Sequence, residues 1–489
     1  MQAMPIKEKP SKTLIAQFGE GNFLRAFCDH MIDQANEKNL FSGGIAMIKP
    51  IAFGSLDTLI AQNLQYTVIL RGLTGGEKSV EQRLVSSITE AINPFSDYSA
   101  YENLAKNPDL RFVISNTTEA GIVFDASDKF TQQPANTFPA KLTQFLHTRF
   151  THFAGDTAKG LIILPCELIE QNGTKLRDCI LEYITLWNLP AEFSVWIKEA
   201  CIFCNTLVDR IVSGYPAGEA NTLQENLLGY EDKLMVVGEP FAFWAIESEH
   251  FAKVQAEFPL DTAGLPVIFC ENLTPYRDRK VRLLNGGHTA SVLAAFLSGL
   301  DTVGEMMQDT HCRAFLEQVI FHEIAPVVLL PEEEVTDFAN SVIERFENPF
   351  IRHELLSIAL NSVSKWKSRI LPSLKDSFAK YGVLPRGLSF SLAALASFYR
   401  SNQAESEMLV GTRKEGTYPI RDDSHILAFF AQNSAKPNAN FAKMLLENTE
   451  FWGEDLTKLG DLLPLITAYL DEIDAHGMQA AMQSVLKGA

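Results

Sequence analysis

Three residues able to polarise and protonate a carbonyl oxygen lie close together in the segment Tyr276–His288 (YRDRKVRLLNGGH). On a helix, Asn285 and His288 share one face, and Lys280 lies about one turn earlier. A lysine transfers a proton once desolvation or neighbouring cations lower its pKa, while asparagine and histidine hydrogen-bond an oxygen that gains charge. The residues alone leave two interpretations open: an acid–base and oxyanion-stabilising set, or a basic surface helix with a packed histidine.

The same segment concentrates positive charge in an acidic chain. Arg277, Arg279, Lys280 and Arg282 stand against the single Asp278, whereas the 489 residues together carry 42 Lys+Arg against 60 Asp+Glu, a net charge of −18. Such a chain repels phosphate polymers and anionic lipid, so we expect no nucleic-acid and no membrane partner. A small anionic ligand would need local positive charge, which residues 277–282 are predicted to supply.

A glycine-rich turn near the N-terminus is the second candidate site. The apolar run Thr13–Phe18 is followed by Gly19-Glu-Gly21 and then by a helical apolar pattern. In a dinucleotide-binding fold, the first glycine permits the tight turn and the second lets a pyrophosphate approach the helix N-terminus. Leu24 occupies the place of a third glycine, yet the order strand, turn, helix favours nucleotide binding.

The residue after the second predicted strand bears on the choice of nucleotide. That strand ends at Lys49 and Pro50. An acidic residue at this point commonly binds the adenosine ribose of NAD, and none is present. The residues alone therefore leave NAD and NADP open, with Lys49 favouring NADP.

Strand-like runs alternate with helical patterns through the first half of the chain. The predicted strands are Thr13–Phe18, Gly44–Ile48, Tyr66–Leu70, Arg111–Ser115 and Gly160–Leu164. The predicted helices are Asn22–Asn36, Lys78–Ile92, Pro139–Phe150 and Lys175–Trp187. Apolar strands without alternation, separated by helices, indicate a parallel sheet covered on both faces.

After Pro275 the strand signals fade and amphipathic stretches dominate, which predicts a mostly helical region. The predicted helices are Val281–Leu300, Cys312–Ile324, Glu334–Phe346, Glu354–Leu371, Ser389–Tyr399 and Phe441–Phe451.

Cysteines and apolar runs bear on the compartment and on metal binding. Seven cysteines are thinly spread, and Cys201 and Cys204 form a lone C-x-x-C in an apolar run, which favours buried thiols over a zinc site. Neither a signal peptide nor a run long enough to span a bilayer is evident. We expect a cytoplasmic protein without a metal.

The two motifs together resemble the mannitol dehydrogenase family of long-chain polyol-specific dehydrogenases. Lys280-x-x-x-x-Asn285-x-x-His288 is similar to the family's catalytic signature, and Gly19-x-Gly21-x-x-x-Arg25 is similar to its nucleotide turn. The likeness runs from about residue 13 to at least residue 400. It implies an α/β fold: a Rossmann-type NAD-binding domain with a parallel sheet (1–275), followed by a mostly α-helical substrate-binding and catalytic domain (276–489).

The resemblance also implies roles for individual residues. Lys280 would be the general acid in ketone reduction and the base in the reverse reaction. Asn285 would polarise the substrate oxygen, and His288 would bind and orient the substrate. The cofactor contacts it implies are Phe18, Gly19, Glu20, Gly21, Asn22, Phe23, Leu24 and Arg25.

Two positions depart from the polyol enzymes of the family. Leu168 replaces an asparagine that belongs to their oxyanion hole, so that donor is either absent or supplied by Asn172, the candidate we name, or by another group. Ser357 replaces an arginine, eight residues before Lys365. Lys365 is a candidate contact of the substrate carboxylate, and Arg352 is a weaker one.

Longer similar stretches favour the branch of the family that reduces the sugar acid D-tagaturonate to D-altronate with NADH, in hexuronate breakdown. They include Gln17–Arg25, Ser115–Gly121, Gly299–Gly304 and Leu355–Asn361. This branch also carries a basic residue and a proline after the second strand and is NAD-linked, so we predict NAD. Fructuronate reduction or mannitol-type polyol oxidation is the nearest alternative. A metal-dependent sugar-acid isomerase or epimerase and a non-catalytic nucleotide-binding regulator are more remote.

Overall fold

The computed structural model describes residues 2–118, 120–401, 404–405 and 408–487. The chain divides into two compact units, Met1–Leu273 and Thr274–Ala489. Within the described ranges, we find no helix with the length and apolar character that a membrane crossing requires.

A six-stranded sheet is the centre of the first unit. Its strands, from one edge to the other, are Ile88–Ile92, Gly44–Ile48, Thr13–Phe18, Phe112–Ser115, Ile162–Pro165 and Ile202–Phe203. All neighbouring pairs are parallel. Numbered along the chain, the spatial order is 3-2-1-4-5-6, the doubly wound Rossmann arrangement, whose order reverses between the first and fourth strands. The predicted parallel sheet is confirmed.

Both faces of this sheet are buried, which explains why its strands show no alternation of apolar and polar residues. Ile15 points into a cluster that includes Phe27 and Trp244, whereas the next residue, Ala16, points into one that includes Phe145 and Trp196. The helices of the unit are Asn22–Leu24, Arg25–Asp29 (π) and His30–Glu37 in one continuous run, then Asp57–Ala61, Tyr98–Ala105, Phe138–His152, Thr157–Lys159 (3₁₀), Asn172–Leu186, Ala191–Glu199, Ala220–Leu223, Gln224–Leu228 (π) and Phe251–Glu257.

Two smaller sheets complete the first unit. One contains Val212–Gly214, Val236–Gly238, Tyr66–Thr74 and Glu77–Val85, and the other contains Val267–Cys270, Phe243–Glu247 and Asn205–Asp209. The predicted helix Lys78–Ile92 is wrong, since this segment is divided between a hairpin strand and the edge strand of the main sheet. Gly75 and Gly76 have φ of 61° and 79°, the two left-handed residues that a tight two-residue hairpin turn requires.

The second unit is mostly helical, as predicted, with several of the predicted helices interrupted. Its helices are Thr274–Arg279, Lys280–Asn285 (π), Gly286–Leu297, Val303–Gln308, Thr310–Glu317, Gln318–Ile324 (π), Ala325–Val327 (3₁₀), Glu332–Phe346, Leu355–Ile358, Ser362–Arg369, Leu371–Tyr381, Arg386–Tyr399, Ser424–Asn433, Asn438–Leu446, Thr449–Trp452, Leu456–Lys458 (3₁₀), Leu462–His476 and Met478–Lys487. A small antiparallel sheet of Ala404–Glu405, Met408–Arg413 and Gly416–Ile420 was not expected.

Candidate active site

The glycine turn lies where the strand order of the main sheet reverses. Gly19 follows strand Thr13–Phe18 with φ of +133°, and its N–H donates to the carbonyl of Ile48 at 3.1 Å. A Cβ at Gly19 would lie 3.0 Å from Leu24 Cδ1 and 3.2 Å from the carbonyl oxygen of Asn116. Both the backbone conformation and the lack of space therefore require glycine here.

The second glycine leaves the start of the following helix open. Gly21 is the N-cap of a helical run that begins at Asn22, and no side chain caps it. Both residues are exposed, and a Cβ on Gly21 would have no atom within 4 Å. Unpaired N–H groups at a helix N-terminus, with this open space before them, fit the pyrophosphate of a dinucleotide.

The other residues of the turn support it from the protein side. Phe18 and Leu24 are buried, and Phe23 stacks on Phe27 with 4.9 Å between ring centroids. Arg25 donates to the carbonyl of Leu234 at 2.6 Å and to Asn22 Oδ1 at 2.6 Å. Arg25 therefore anchors the turn to the first unit.

Lys49 is turned inward. Its side chain is fully buried, its amine lies 3.5 Å from Glu20 Oε1, and it donates to the carbonyl of Phe53. Because the Lys49 amine is already paired inside the protein, it no longer favours NADP over NAD.

A buried carboxylate lies under the same helix. Asp29 is fully buried and accepts hydrogen bonds from the Tyr66 hydroxyl at 2.7 Å and from Gln17 Nε2 at 3.4 Å. Burial raises the pKa of Asp29 to about 7, more than these hydrogen bonds lower it. Folding therefore takes up a proton at this group between about pH 4 and pH 7.

Replacing Asp29 with asparagine is expected to flatten part of the dependence of stability on pH. Because the pKa of Asp29 is higher in the folded than in the unfolded chain, its contribution to the free energy of unfolding falls as pH rises through this range. The wild type should lose about 2 kcal/mol between pH 5 and pH 8 relative to Asp29→Asn, measured by urea unfolding. Parallel profiles for the two proteins would contradict this.

In the second unit, a π turn brings the predicted lysine and asparagine onto one face. The helical run from Thr274 to Leu297 contains the π segment Lys280–Asn285. Residues five apart would be about 140° apart around an α-helix, but a π turn closes between residues i and i+5 and aligns them. Such turns are frequent at functional sites. No described residue hydrogen-bonds the side-chain amide of Asn285.

His288 presents a ring nitrogen without a partner. Its ring stacks on Phe346, with centroids 3.9 Å apart and an interplanar angle of 7°, and meets His353 edge-on at 5.5 Å. Burial, reinforced by the positive field of nearby basic groups, holds the pKa of His288 well below its usual range, so the ring is neutral. Nε2 is buried and makes no hydrogen bond to any described residue. A buried donor or acceptor left unpaired is costly, and a substrate hydroxyl or carbonyl would satisfy it.

Two of the four basic side chains in the segment predicted to supply positive charge have acidic partners. Arg279 is buried against the ring of Phe338 at 4.5 Å and lies 3.8 Å from Glu334, and Arg282 pairs with Asp376 at 2.5 Å. These pairs neutralise much of the predicted cluster.

The basic groups that act on His288 come from other parts of the second unit. They are His353, Arg345, Arg369 and Lys365. His353 precedes helix Leu355–Ile358, and the other three are on helices. Arg369 was not predicted as a site residue, because nothing local in the sequence links it to His288.

Two predicted substrate contacts have other partners in the structure. Asn172 is buried; its amide donates to the carbonyls of Pro165 at 3.0 Å and Glu167 at 3.1 Å, while Oδ1 accepts from backbone N–H groups. Its donors are used within the first unit, so the prediction of Asn172 as an oxyanion donor is corrected. Arg352 points to solvent, with 74% of its side chain exposed, and pairs with Glu354 at 2.7 Å. The guanidinium of Arg352 is therefore paired with an acid at the surface.

Lys365 is half-buried and near His288. Its amine donates to the carbonyl of Ile358 at 2.9 Å.

Cys201 and Cys204 are both buried, as expected. Over the described ranges, no group of three or more His, Cys, Asp or Glu residues is arranged to hold a metal ion.

A doubly wound sheet with an open glycine turn, combined with a lysine, an asparagine and a histidine on one helical run of a second unit, defines a nucleotide-dependent dehydrogenase. The family models for the mannitol dehydrogenase Rossmann domain and the mannitol dehydrogenase C-terminal domain match residues 13–260 and 272–474. The chain belongs to the mannitol dehydrogenase family.

Curated relatives and solved structures agree with this assignment. Proteins named altronate oxidoreductase from Enterobacter sp. (strain 638) and Escherichia coli O7:K1 are each 44% identical, over 96% of both chains. The structure of a D-sorbitol dehydrogenase is similar with a TM-score of 0.80 over 97% of both chains. The ternary complex of Pseudomonas fluorescens mannitol 2-dehydrogenase with NAD and D-mannitol has a TM-score of 0.65, covering 99% of this chain and 97% of its own. Both structures are 22% identical to this chain and show the shared fold.

Proposed function

We propose that this protein is an NAD-dependent oxidoreductase that reversibly reduces D-tagaturonate to D-altronate. The observation that carries the proposed chemistry is the unpaired, buried Nε2 of His288 on the same helical run as Lys280 and Asn285. The 44% identical relatives named altronate oxidoreductase support the substrate.

Each residue of the set has a distinct task in this reaction. When bound, NADH supplies the hydride that reduces the ketone carbon. Lys280 donates a proton to the carbonyl oxygen and takes it back in the reverse direction. Asn285 donates a hydrogen bond from its free amide to the same oxygen as charge develops. His288, neutral and fixed by Phe346, orients a substrate oxygen through Nε2.

Two features of the first unit support NAD as the cofactor. The uncapped helix start at Gly21 has room for a pyrophosphate. Lys49, which would attract the extra phosphate of NADP, is already bound to Glu20 and Phe53. We therefore assign cofactor binding to unit Met1–Leu273, around Gly19–Phe23, and substrate binding and catalysis to unit Thr274–Ala489.

A side-by-side activity panel tests this function. The oxidation of NADH and NADPH is followed by absorbance with tagaturonate, fructuronate and fructose as substrates. NADH with tagaturonate should give the highest kcat/KM, with every other combination at least about tenfold lower. Faster turnover of fructuronate or fructose would replace the proposed substrate, and faster turnover with NADPH would replace the proposed cofactor.

A further inference from the structure

We propose that Arg369 binds the carboxylate of the sugar acid, with Lys365 beside it, and so selects an acid over a neutral sugar. This inference rests on the proposed function and names the residue responsible for its substrate class. The sequence resemblance included the segment that carries Arg369 but gave this residue no role.

Arg369 is placed against the helix that carries the proposed catalytic residues. It ends helix Ser362–Arg369, and its carbonyl oxygen is 3.4 Å from where a Cβ on Gly286 would be, so the two backbones are in close contact. Its guanidinium donates to Thr289 Oγ1 at 3.4 Å. Thr289 is buried and directly follows His288. The guanidinium is therefore near the residue proposed to orient the substrate.

Most N–H donors of the Arg369 guanidinium have no hydrogen-bond partner among the described residues. Arginine carries five N–H donors, and the long bond to Thr289 uses one of them. Burial lowers the pKa of Arg369, and no acidic group of the described residues raises it. A half-buried cation without a carboxylate beside it is costly to the fold unless a ligand supplies the opposite charge.

A second cation on the same helix increases this cost. Lys365 and Arg369 are four residues apart, so they are neighbours on one face, where like charges destabilise a helix. Burial and the charge of Arg369 both lower the pKa of Lys365. The acid that acts on Lys365 is Asp422, which itself accepts a hydrogen bond from Tyr399. In a chain with a net charge of −18, this pair forms a local anion-binding position.

The chemistry of arginine matches a carboxylate better than a sugar hydroxyl. A planar guanidinium makes two parallel hydrogen bonds to the two oxygens of a carboxylate, and both are strengthened by charge. A hydroxymethyl group in the same place accepts only one neutral hydrogen bond and leaves the cation uncompensated. Arg369 would thus discriminate tagaturonate from a neutral ketohexose.

Arg369→Gln and Arg369→Lys test this role. For Arg369→Gln, KM for tagaturonate should rise roughly 30-fold while kcat changes less than about threefold, because the lost contact is to a group remote from the reacting carbon. The KM of Arg369→Lys for tagaturonate should lie between those of Arg369→Gln and the wild type. Guanidinium ions added to Arg369→Gln should lower its KM again. The KM for NADH should stay the same in both variants.

Lys367→Gln is the matched control, because it removes a positive charge from the same helix at a side chain that lies against Gly453. Its KM for tagaturonate should equal that of the wild type. If Arg369→Gln does not fold, Arg369→Lys decides: a raised KM with normal kcat supports the proposal, and an unchanged KM overturns it. An unchanged KM in a folded Arg369→Gln also overturns it. A wild type that does not turn over tagaturonate would instead overturn the proposed function.

Discussion

Replacing Lys280 with alanine is expected to lower kcat for tagaturonate reduction by about 10³-fold while NADH still binds with its normal affinity. Without the amine, no group of the Lys280–Asn285–His288 set can give up a proton easily, since Asn285 has no acidic proton and His288 is neutral. Cofactor binding should persist because the proposed cofactor residues, Gly19–Phe23, are in the other unit. Stopped-flow NADH oxidation and a fluorescence titration of NADH measure the two quantities.

Three controls accompany this variant, and the first separates the loss of proton transfer from the loss of charge. Lys280→Arg keeps a positive charge but does not release a proton near neutral pH, so it should be nearly as slow as Lys280→Ala. Small primary amines added to Lys280→Ala should restore part of the rate. Lys375→Ala, at an exposed residue that pairs with Glu454 at 2.7 Å, should behave as the wild type. Normal turnover by Lys280→Ala would remove this residue from the mechanism.

The main sheet could be predicted from the sequence because strands that are buried on both faces are continuous apolar runs. Thr13–Phe18 and Gly44–Ile48 were predicted with the bounds that the structure shows, since each is a short apolar run ended by glycine or proline. Helix Phe138–His152 was found within two residues at each end, because its apolar residues follow the helical period.

The segment Lys78–Ile92 was predicted wrongly because strand Glu77–Val85 is mostly exposed. Its Lys, Glu, Gln and Arg residues favour helix in isolation, and only pairing with strand Tyr66–Thr74 makes it extended. The local signal for this pairing was the turn Gly75-Gly76. Tertiary context overrode local preference here.

The site was predictable only as far as local spacing reached. The shared face of Asn285 and His288 follows from their separation of three residues. The alignment of Lys280 with Asn285 depends on a π turn, which an α-helical period does not indicate. The position of Arg369 depends on packing between helices far apart in the chain, and the burial of Lys49 depends on the loop that carries Phe53.

Replacing Gly21 with valine is expected to raise the Kd for NADH by about 100-fold, or about 2.7 kcal/mol, while leaving the stability of the protein unchanged. The backbone of Gly21 has φ of −67° and ψ of 161°, an extended conformation that valine adopts readily. A Cβ there would touch no protein atom. The Cβ of the new side chain would therefore lie in the open space before the helix start, where the pyrophosphate is expected.

Gly19→Ala provides the contrast, because its defect should be in the protein itself. Alanine at φ of +133°, with Leu24 and Asn116 within 3.2 Å of its Cβ, should lower the free energy of unfolding by about 1–3 kcal/mol. Thermal unfolding and an NADH titration on both variants distinguish the two effects. Since only the bound pyrophosphate would meet a side chain at position 21, a Gly21→Val protein that binds NADH normally would show that the cofactor does not approach this turn. A Gly21→Val protein that loses stability as Gly19→Ala does would show that the open space is needed by the fold rather than by the ligand.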